Sequence, residues 1–173
     1  MKFESLQDIE LHGYSMYTET FRDKEHDLTI YDNENSQEVG NIQFGLFSSR
    51  GSGEFNLLDV FSNYFLQFDY HDRWKLIEEK KDEIPEAVYL SFCYTNDEYM
   101  GQGFGSVLME EMVNFCDETY PNIPIILCAQ PYRSWSSDRA GYLEILINFY
   151  SKFGFEVTGV DEDDMEFAYM VRQ

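Results

Sequence analysis

Three glycines within five residues make the strongest chemical pattern in this sequence. Residues 100–105 read MGQGFG and lie between a predicted strand and a predicted helix. Glycine has no side chain, so the backbone N–H groups of such a turn stay accessible, and the N terminus of the following helix adds partial positive charge. These two features are typical of sites that bind phosphate groups. The sequence therefore predicts an anion-binding turn at this position.

The glycine spacing excludes three common phosphate-binding motifs. A P-loop requires GxxxxGK[ST], and this stretch contains no lysine. The dinucleotide pattern GxGxxG would need glycine or alanine where Ser106 stands, and the preceding βαβ unit is missing. A protein-kinase glycine loop is excluded because the later catalytic motifs are absent. An ordinary glycine turn without a ligand remains an alternative when the segment is considered alone.

A second pattern lies about 45 residues further along the chain. Residues 148–155 read NFYSKFGF, at the end of a predicted helix for which Gly154 is the expected left-handed terminator. By itself this segment is equally typical of a capped helix end with aromatic packing. Its titratable residues are Tyr150 and Lys152.

Together, the two patterns resemble the GNAT superfamily of acyl-CoA-dependent N-acetyltransferases. The order strand, polar turn, MGQGFG, helix, strand and FYxxxGF covers residues 87–172, about half of the chain. The resemblance implies an α/β (α+β) fold with a mixed, mostly antiparallel central sheet flanked by helices. A helical insertion before the central strand is the unusual feature of this chain.

The resemblance also implies which residues bind acetyl-CoA, the cosubstrate of that family. The preceding strand would pair with the pantetheine arm through Tyr94 and Thr95. Two positions depart from the family pattern: Met100 stands where Arg or Gln is usual, and Leu143 stands where an Asn is frequent. The positions that match the diphosphate-binding motif are Met100, Gly101, Gln102, Gly103, Phe104 and Gly105, followed by Ser106 at the helix start.

Tyr150 matches the family's recurrent general acid. A tyrosine has an ordinary pKa of about 10, close to that of an alkyl thiol, so it can return a proton to the departing thiolate. A backbone N–H near Thr95 could polarise the thioester carbonyl. The general base stays open between Glu86, Asp97, Glu98 and a water relay.

The charge of the chain indicates what kind of partner it binds. Twelve Lys and Arg stand against 33 Asp and Glu, a formal net charge of −21. Such acidity argues against nucleic-acid binding and against attachment to an anionic membrane. It favours a cationic acceptor such as a polyamine, an aminoglycoside, or a protein lysine or N terminus. An alternative is a catalytically idle, acidic binding protein that mimics DNA and occupies a basic protein.

The densest acidic cluster lies between the last two predicted strands. In the GNAT superfamily these strands often border the acceptor cleft, so the resemblance implies an acceptor-binding role for the cluster. Its residues are Asp161, Glu162, Asp163 and Asp164. Arg133 and Arg139 are candidates for contact with the 3′-phosphate of CoA.

The elements that must position these residues follow from hydrophobic periodicity and from glycine and proline punctuation. The expected order is an antiparallel meander, one or two helices, and then β-α-β-α-β-β. The predicted strands are 9–20, 28–31 and 38–47, with a turn at 32–36, then 87–94, 125–129, 155–159 and 166–171; the predicted helices lie within 55–81, at 104–118 and at 141–153.

The length of 173 residues fits one domain, 1–173. No apolar run is long enough to span a bilayer, and the first ten residues lack a signal-peptide pattern. Three cysteines without CxxC spacing and three scattered histidines argue against a disulfide framework and a metal site, and Cys93 is expected to be a buried structural thiol. We therefore expect a cytoplasmic protein; the sequence leaves its oligomeric state open and permits a dimer.

Overall fold

The computed structural model describes residues 2–21, 25–48, 86–130, 139–160 and 168–173. Within these ranges, a short helix precedes a β-meander, and two longer helices lie among the later strands. In chain order the elements are α1 (Leu6–Leu11), β1 (Tyr14–Phe21), β2 (Glu25–Asp32), β3 (Gln37–Ser48), β4 (Glu86–Thr95), a 3₁₀ helix (Asp97–Tyr99), α2 (Phe104–Thr119), β5 (Ile125–Ala129), α3 (Arg139–Ser151), β6 (Glu156–Val160) and β7 (Ala168–Arg172).

The described strands form one mixed sheet in the order β1-β2-β3-β4-β5-β7-β6. Strands β4 and β5 are parallel, and the other neighbouring pairs are antiparallel. This arrangement confirms the predicted mixed, mostly antiparallel sheet. The helical insertion predicted within 55–81 lies outside the described residues.

The prediction of a strand over 9–20 is wrong at its beginning, because a short helix precedes the strand. The Ser5 hydroxyl accepts a hydrogen bond from the Asp8 N–H at 3.2 Å and caps α1. Gly13, with a φ of +88°, then turns the chain into β1, which begins at Tyr14. The meander itself is confirmed by the β1–β2 and β2–β3 pairings.

Helix α2 covers one face of the sheet. It begins at Phe104, and its apolar residues recur at helical spacing, so one stripe can pack on β2, β3 and β4. Leu108 and Met112, at the centre of this stripe, are fully buried. The residues that α2 buries are Phe104, Val107, Leu108, Met109, Met112 and Cys116.

No helix in the described ranges combines the length and the apolar character needed to cross a bilayer.

Helix α3 connects β5 to the final strand pair. It ends near Gly154, whose φ of +85° confirms the predicted left-handed terminator. Leu143, one of the two departures from the GNAT pattern, is buried in the core at 2% exposure. An apolar side chain at this position therefore contributes to packing between α3 and the sheet.

Candidate functional site

Strands β4 and β5 pair over only part of their length. Three consecutive residue pairs join them, and the last pair is Leu90 with Leu127. Beyond it, residues 91–95 of β4 have no pairing partner among the described residues of β5. A gap therefore opens between the two strands toward the carboxyl end of β4.

A β-bulge marks the point at which the gap begins. Ser91 is an extra residue in β4 relative to its register with β3, and its hydroxyl donates a hydrogen bond to the backbone oxygen of Gln43 at 3.0 Å. A bulge bends a strand and increases its twist. The bulge at Ser91 thus accounts for the departure of β4 from β5.

Thr95 presents its backbone N–H to this gap. The next N–H along the chain, that of Asn96, donates to the Val39 oxygen on β3 at 2.8 Å. Successive N–H groups of a strand point to opposite edges, so the Thr95 N–H points away from β3. The backbone of Tyr94 faces β3 instead, because its carbonyl oxygen lies 2.6 Å from the position that a Cβ on Gly40 would take. Of the two residues predicted to pair with a pantetheine arm, Thr95 is the one whose backbone N–H points away from β3 and toward the gap.

The glycine turn adopts backbone conformations that require glycine. Gly101 has a φ of +73° and Gly103 a φ of +98°, both in the left-handed region. A Cβ on Gly101 would meet no atom within 4 Å, so this side of the turn is open. Alternation of left-handed and right-handed residues is typical of anion-binding backbone nests.

Three consecutive N–H groups of the turn have no hydrogen-bond acceptor among the described residues. Ser106 and Val107 donate the first hydrogen bonds of α2, both to the Gly103 oxygen, at 2.9 and 3.1 Å. The N–H groups of Gly103, Phe104 and Gly105 donate to none of the described residues. They lie at the positive end of the α2 dipole, close to the end of β4. The turn therefore has the geometry of an anion site.

An aromatic cluster holds the turn in place. Phe104 is fully buried, and its ring centroid lies 4.9 Å from that of Phe3, 4.8 Å from that of Tyr14 and 5.9 Å from that of Tyr99. The Phe3 N–H also donates to the Gln102 oxygen at 2.7 Å. Sequence reasoning missed Phe3 and Tyr14, because no local pattern indicates that the N-terminal segment packs against a turn about 90 to 100 residues away.

Tyr150 lies at the gap from the α3 side. Its ring packs against Phe149 and Phe155, with centroids 5.2 and 6.1 Å apart. Burial raises the pKa of Tyr150 strongly, and the nearby thiols of Cys93 and Cys128 raise it further. Because Cys93 belongs to β4 and Cys128 to β5, the phenol interacts electrostatically with a thiol on each of the two strands that border the gap. Its hydroxyl stays protonated at neutral pH.

Cys93 lies in the opened part of β4. Burial raises the pKa of this thiol to about 12, so it is protonated at neutral pH and is a poor nucleophile. Cys93 is half-buried rather than fully buried as predicted, and its protonated thiol agrees with the predicted structural role. Residues 2–21, 25–48, 86–130, 139–160 and 168–173 contain no cluster of His, Cys, Asp or Glu that could hold a metal ion.

The remaining sequence-predicted residues lie beside the turn, far from it, or outside the described residues. Met100 is 38% exposed beside the turn, and Asp97 and Glu98 are exposed in the 3₁₀ helix before it. Glu86 begins β4, about 30 Å along the strand from Thr95, too far for a base acting at the open end of the gap. The acidic residues Asp161, Glu162, Asp163 and Asp164, together with Arg133, lie outside the described residues, and Arg139 is the first residue of α3.

Sequence comparison finds no relative of this chain. No protein-family model matches the sequence, and no curated protein is detectably similar to it. The similarity that exists is structural.

Solved structures resemble this fold over most of the chain. The Escherichia coli protein ElaA matches 86% of this chain and 68% of its own with a TM-score of 0.52 and 17% identity. Mosquito arylalkylamine N-acetyltransferase-like 5b matches 84% of this chain and 73% of its own, with a TM-score of 0.53 and 12% identity. Arylalkylamine N-acetyltransferase 2 from Aedes aegypti matches 84% and 72%, with a TM-score of 0.52 and 12% identity. The sheet order, the gap beside β4 and these structural neighbours together show that the chain has the fold of the GNAT superfamily of N-acetyltransferases.

Proposed function

We propose that this protein is an N-acetyltransferase that moves an acetyl group from acetyl-CoA to a cationic amine. One observation carries the proposal: the free N–H groups of Gly103, Phe104 and Gly105 lie at the end of the strand whose open edge faces Tyr150. A diphosphate at the turn and a thioester in the gap are the two parts of one extended ligand. The arylalkylamine N-acetyltransferase from Aedes aegypti and the mosquito arylalkylamine N-acetyltransferase-like protein among the structural neighbours support the same reaction class.

In this proposal, backbone N–H groups bind acetyl-CoA at two points, the diphosphate and the thioester carbonyl. The turn binds the diphosphate through N–H groups and the helix dipole, which do not depend on the missing Arg or Gln at Met100. The Thr95 N–H, at the open edge of β4, donates to the thioester carbonyl oxygen and stabilises the negative charge that develops there. A neutral amine then attacks the carbonyl carbon.

Tyr150 completes the reaction by supplying a proton. As the new N–C bond forms, the C–S bond breaks, and the phenol donates its proton to the sulfur that leaves. The amine nitrogen loses one proton to solvent or to a base, and Tyr150 regains one, so that the protons balance. Burial raises the pKa of Tyr150, but burial in the same gap also raises the pKa of the departing thiol. The two pKa values therefore shift in the same direction, and the free-energy change of the proton transfer stays small.

Thiol release from acetyl-CoA, measured over a panel of amines, tests this function. We expect turnover with at least one cationic amine, and a fall in kcat of about 10²- to 10⁴-fold in Tyr150→Phe with little change in KM for acetyl-CoA. Tyr142→Phe, on the same helix, is the matched control and should retain activity. Unchanged turnover in Tyr150→Phe would contradict the role of Tyr150. Absence of thiol release with every amine, together with absence of CoA binding, would instead support the acidic binding protein.

A further inference from the structure

The Tyr99 side chain connects the glycine turn to the hairpin formed by β2 and β3. Tyr99 ends the 3₁₀ helix, two residues before Gly101, and its hydroxyl donates a hydrogen bond to the Asp32 carboxylate at 3.2 Å. Asp32 is the last residue of β2. The bond therefore joins residues that are 67 positions apart in the chain, and the proposed reaction has given it no role.

The Asp32 carboxylate accepts hydrogen bonds from the hairpin as well as from Tyr99. The backbone N–H groups of Glu34 and Asn35 donate to it at 2.9 and 3.3 Å, and the Asn35 side-chain amide donates at 3.0 Å. Desolvation raises the pKa of Asp32, but the hydrogen bonds lower it overall, so the carboxylate is ionised at neutral pH and the bond from Tyr99 is charge-assisted. Three bonds close the hairpin turn without Tyr99, so the fourth acts on the segment that carries Tyr99.

Aromatic packing fixes the position of the Tyr99 ring. The side chain is 8% exposed, and its ring lies edge to face with those of Tyr14 and Phe104, with centroids 6.4 and 5.9 Å apart. Tyr14 pairs directly with Asp32 in the β1–β2 register, so the two side chains lie on the same face of the sheet. The packing therefore sets the plane of the Tyr99 ring, and the bond to Asp32 sets its distance from the hairpin.

Further hydrogen bonds connect the position of Tyr99 to the turn. The Gln102 side-chain amide donates to the Glu98 oxygen at 3.1 Å, and the Gln102 oxygen accepts from the Phe3 N–H at 2.7 Å. The 3₁₀ helix and the start of the turn thus form one unit, which leads directly into the unpaired N–H groups of residues 103–105. A displacement of Tyr99 would move these donors with it.

We propose that Asp32 and Tyr99 are positioning residues that hold the glycine turn in its anion-binding conformation. In this role neither side chain touches the anion: Tyr99 acts through the backbone that follows it, and Asp32 acts through Tyr99. Without the hydroxyl, the turn becomes fully ordered only when an anion binds, and the entropy cost of that ordering lowers affinity. The positioning role stands on these contacts alone, whereas the diphosphate of acetyl-CoA as the anion rests on the proposed function.

Amide hydrogen exchange without any ligand, followed by NMR, tests whether the pair holds the turn. Tyr99→Phe is the variant, because it removes the hydroxyl and keeps the ring. The reporters are the N–H groups of Phe3 and Met100, which donate to the Gln102 and Asp97 oxygens. We expect them to exchange about threefold faster or more in Tyr99→Phe than in the wild-type protein, and the N–H of Leu108, in the middle of α2, to change less.

Titration calorimetry with CoA and pantetheine tests whether the held turn serves the coenzyme. Pantetheine lacks the diphosphate and the adenosine. We expect Tyr99→Phe to bind CoA about tenfold more weakly than the wild-type protein does, and to bind pantetheine within about twofold of wild type. Tyr17→Phe is the matched control, because Tyr17 is 57% exposed on β1, and its affinity for CoA should equal that of wild type.

A double-mutant cycle tests whether Tyr99 acts through Asp32. In Asp32→Ala the Tyr99 hydroxyl has lost its acceptor, so adding Tyr99→Phe should weaken CoA binding by less than about twofold. A full tenfold effect in that background would contradict the proposed partnership. Should Asp32→Ala unfold the hairpin, Tyr99→Phe alone keeps the test decisive.

Three results would overturn the positioning role: wild-type affinity for CoA in Tyr99→Phe, equal weakening of CoA and pantetheine, or equal acceleration of exchange at Leu108 and Phe3. The same measurements separate this role from the proposed function. CoA binding that is alike in wild type and Tyr99→Phe rejects the positioning role alone. Absence of CoA binding to the wild-type protein, with faster exchange at Phe3 in Tyr99→Phe, rejects the transferase alone.

Discussion

Gly103 and Phe3 are in direct backbone contact: a Cβ atom on Gly103 would lie 2.1 Å from the Phe3 carbonyl oxygen. The N-terminal segment thus packs against one side of the glycine turn, and the N–H groups of Gly103, Phe104 and Gly105 have no acceptor among the described residues. Glycine is required at position 103 for two reasons: the backbone has a left-handed φ, and the contact with Phe3 leaves no room for a side chain.

Gly103→Ala should therefore destabilise the protein more than Gly101→Ala. Both substitutions place an alanine at a positive φ, which costs about 1–2 kcal/mol, but a Cβ on Gly101 meets no neighbour. We expect urea unfolding to show an additional loss of about 1–3 kcal/mol for Gly103→Ala, because Phe3 must move. Equal losses for the two variants would show that the contact with Phe3 does not constrain the turn.

Salt should change the two Michaelis constants in opposite directions. The chain carries a net charge of −21, which repels the polyanion CoA and attracts a protonated amine. Raising the ionic strength from about 0.05 to 0.3 M shortens the range of both interactions. We expect KM for acetyl-CoA to fall and KM for the amine to rise, as measured by initial rates at fixed pH. Movement of both constants in the same direction would contradict this electrostatic explanation.

His26 should make the fold sensitive to mild acid. The ring is 5% exposed, and its two nitrogens contact the Thr20 hydroxyl at 3.1 Å and the Tyr120 hydroxyl at 2.7 Å. Burial lowers the pKa of His26, so the unfolded chain binds a proton that the folded chain does not. The resulting stabilisation is complete above the unfolded pKa of about 6.5 and is lost as the pH falls toward the folded value.

Urea unfolding between pH 8 and pH 5.5 measures this effect. The stability difference between wild type and His26→Gln should shrink with acidification, by at most about 1.4 kcal/mol per pH unit. A pH-independent difference for His26→Gln would mean that this ring does not titrate on unfolding.

Local patterns predicted the elements that carry the candidate site. Helix α2 was predicted over 104–118 and spans Phe104–Thr119, because the glycine turn and a strict apolar stripe specify both its start and its buried face. The expected strand at 125–129 and the terminator Gly154 were confirmed for similar reasons. Helix α1 was missed although Ser5 and Asp8 carry its capping signal, since the alternation that follows favoured a strand.

Long-range features of the site could not be predicted from the sequence. The bulge at Ser91 depends on register with β3, which no local pattern specifies. The packing of Phe3 against the turn is a contact across about 100 residues of sequence.

Calorimetric titration with CoA, 3′-dephospho-CoA and pantetheine tests the central claim, that the turn binds a diphosphate through its backbone. The first two ligands carry the diphosphate and the adenosine, and pantetheine lacks both. We predict that CoA and 3′-dephospho-CoA bind within about tenfold of each other, and that pantetheine binds about a hundredfold more weakly or worse, because hydrogen bonds to a charged group are lost. No binding of CoA, or binding no tighter than that of pantetheine, would contradict the account.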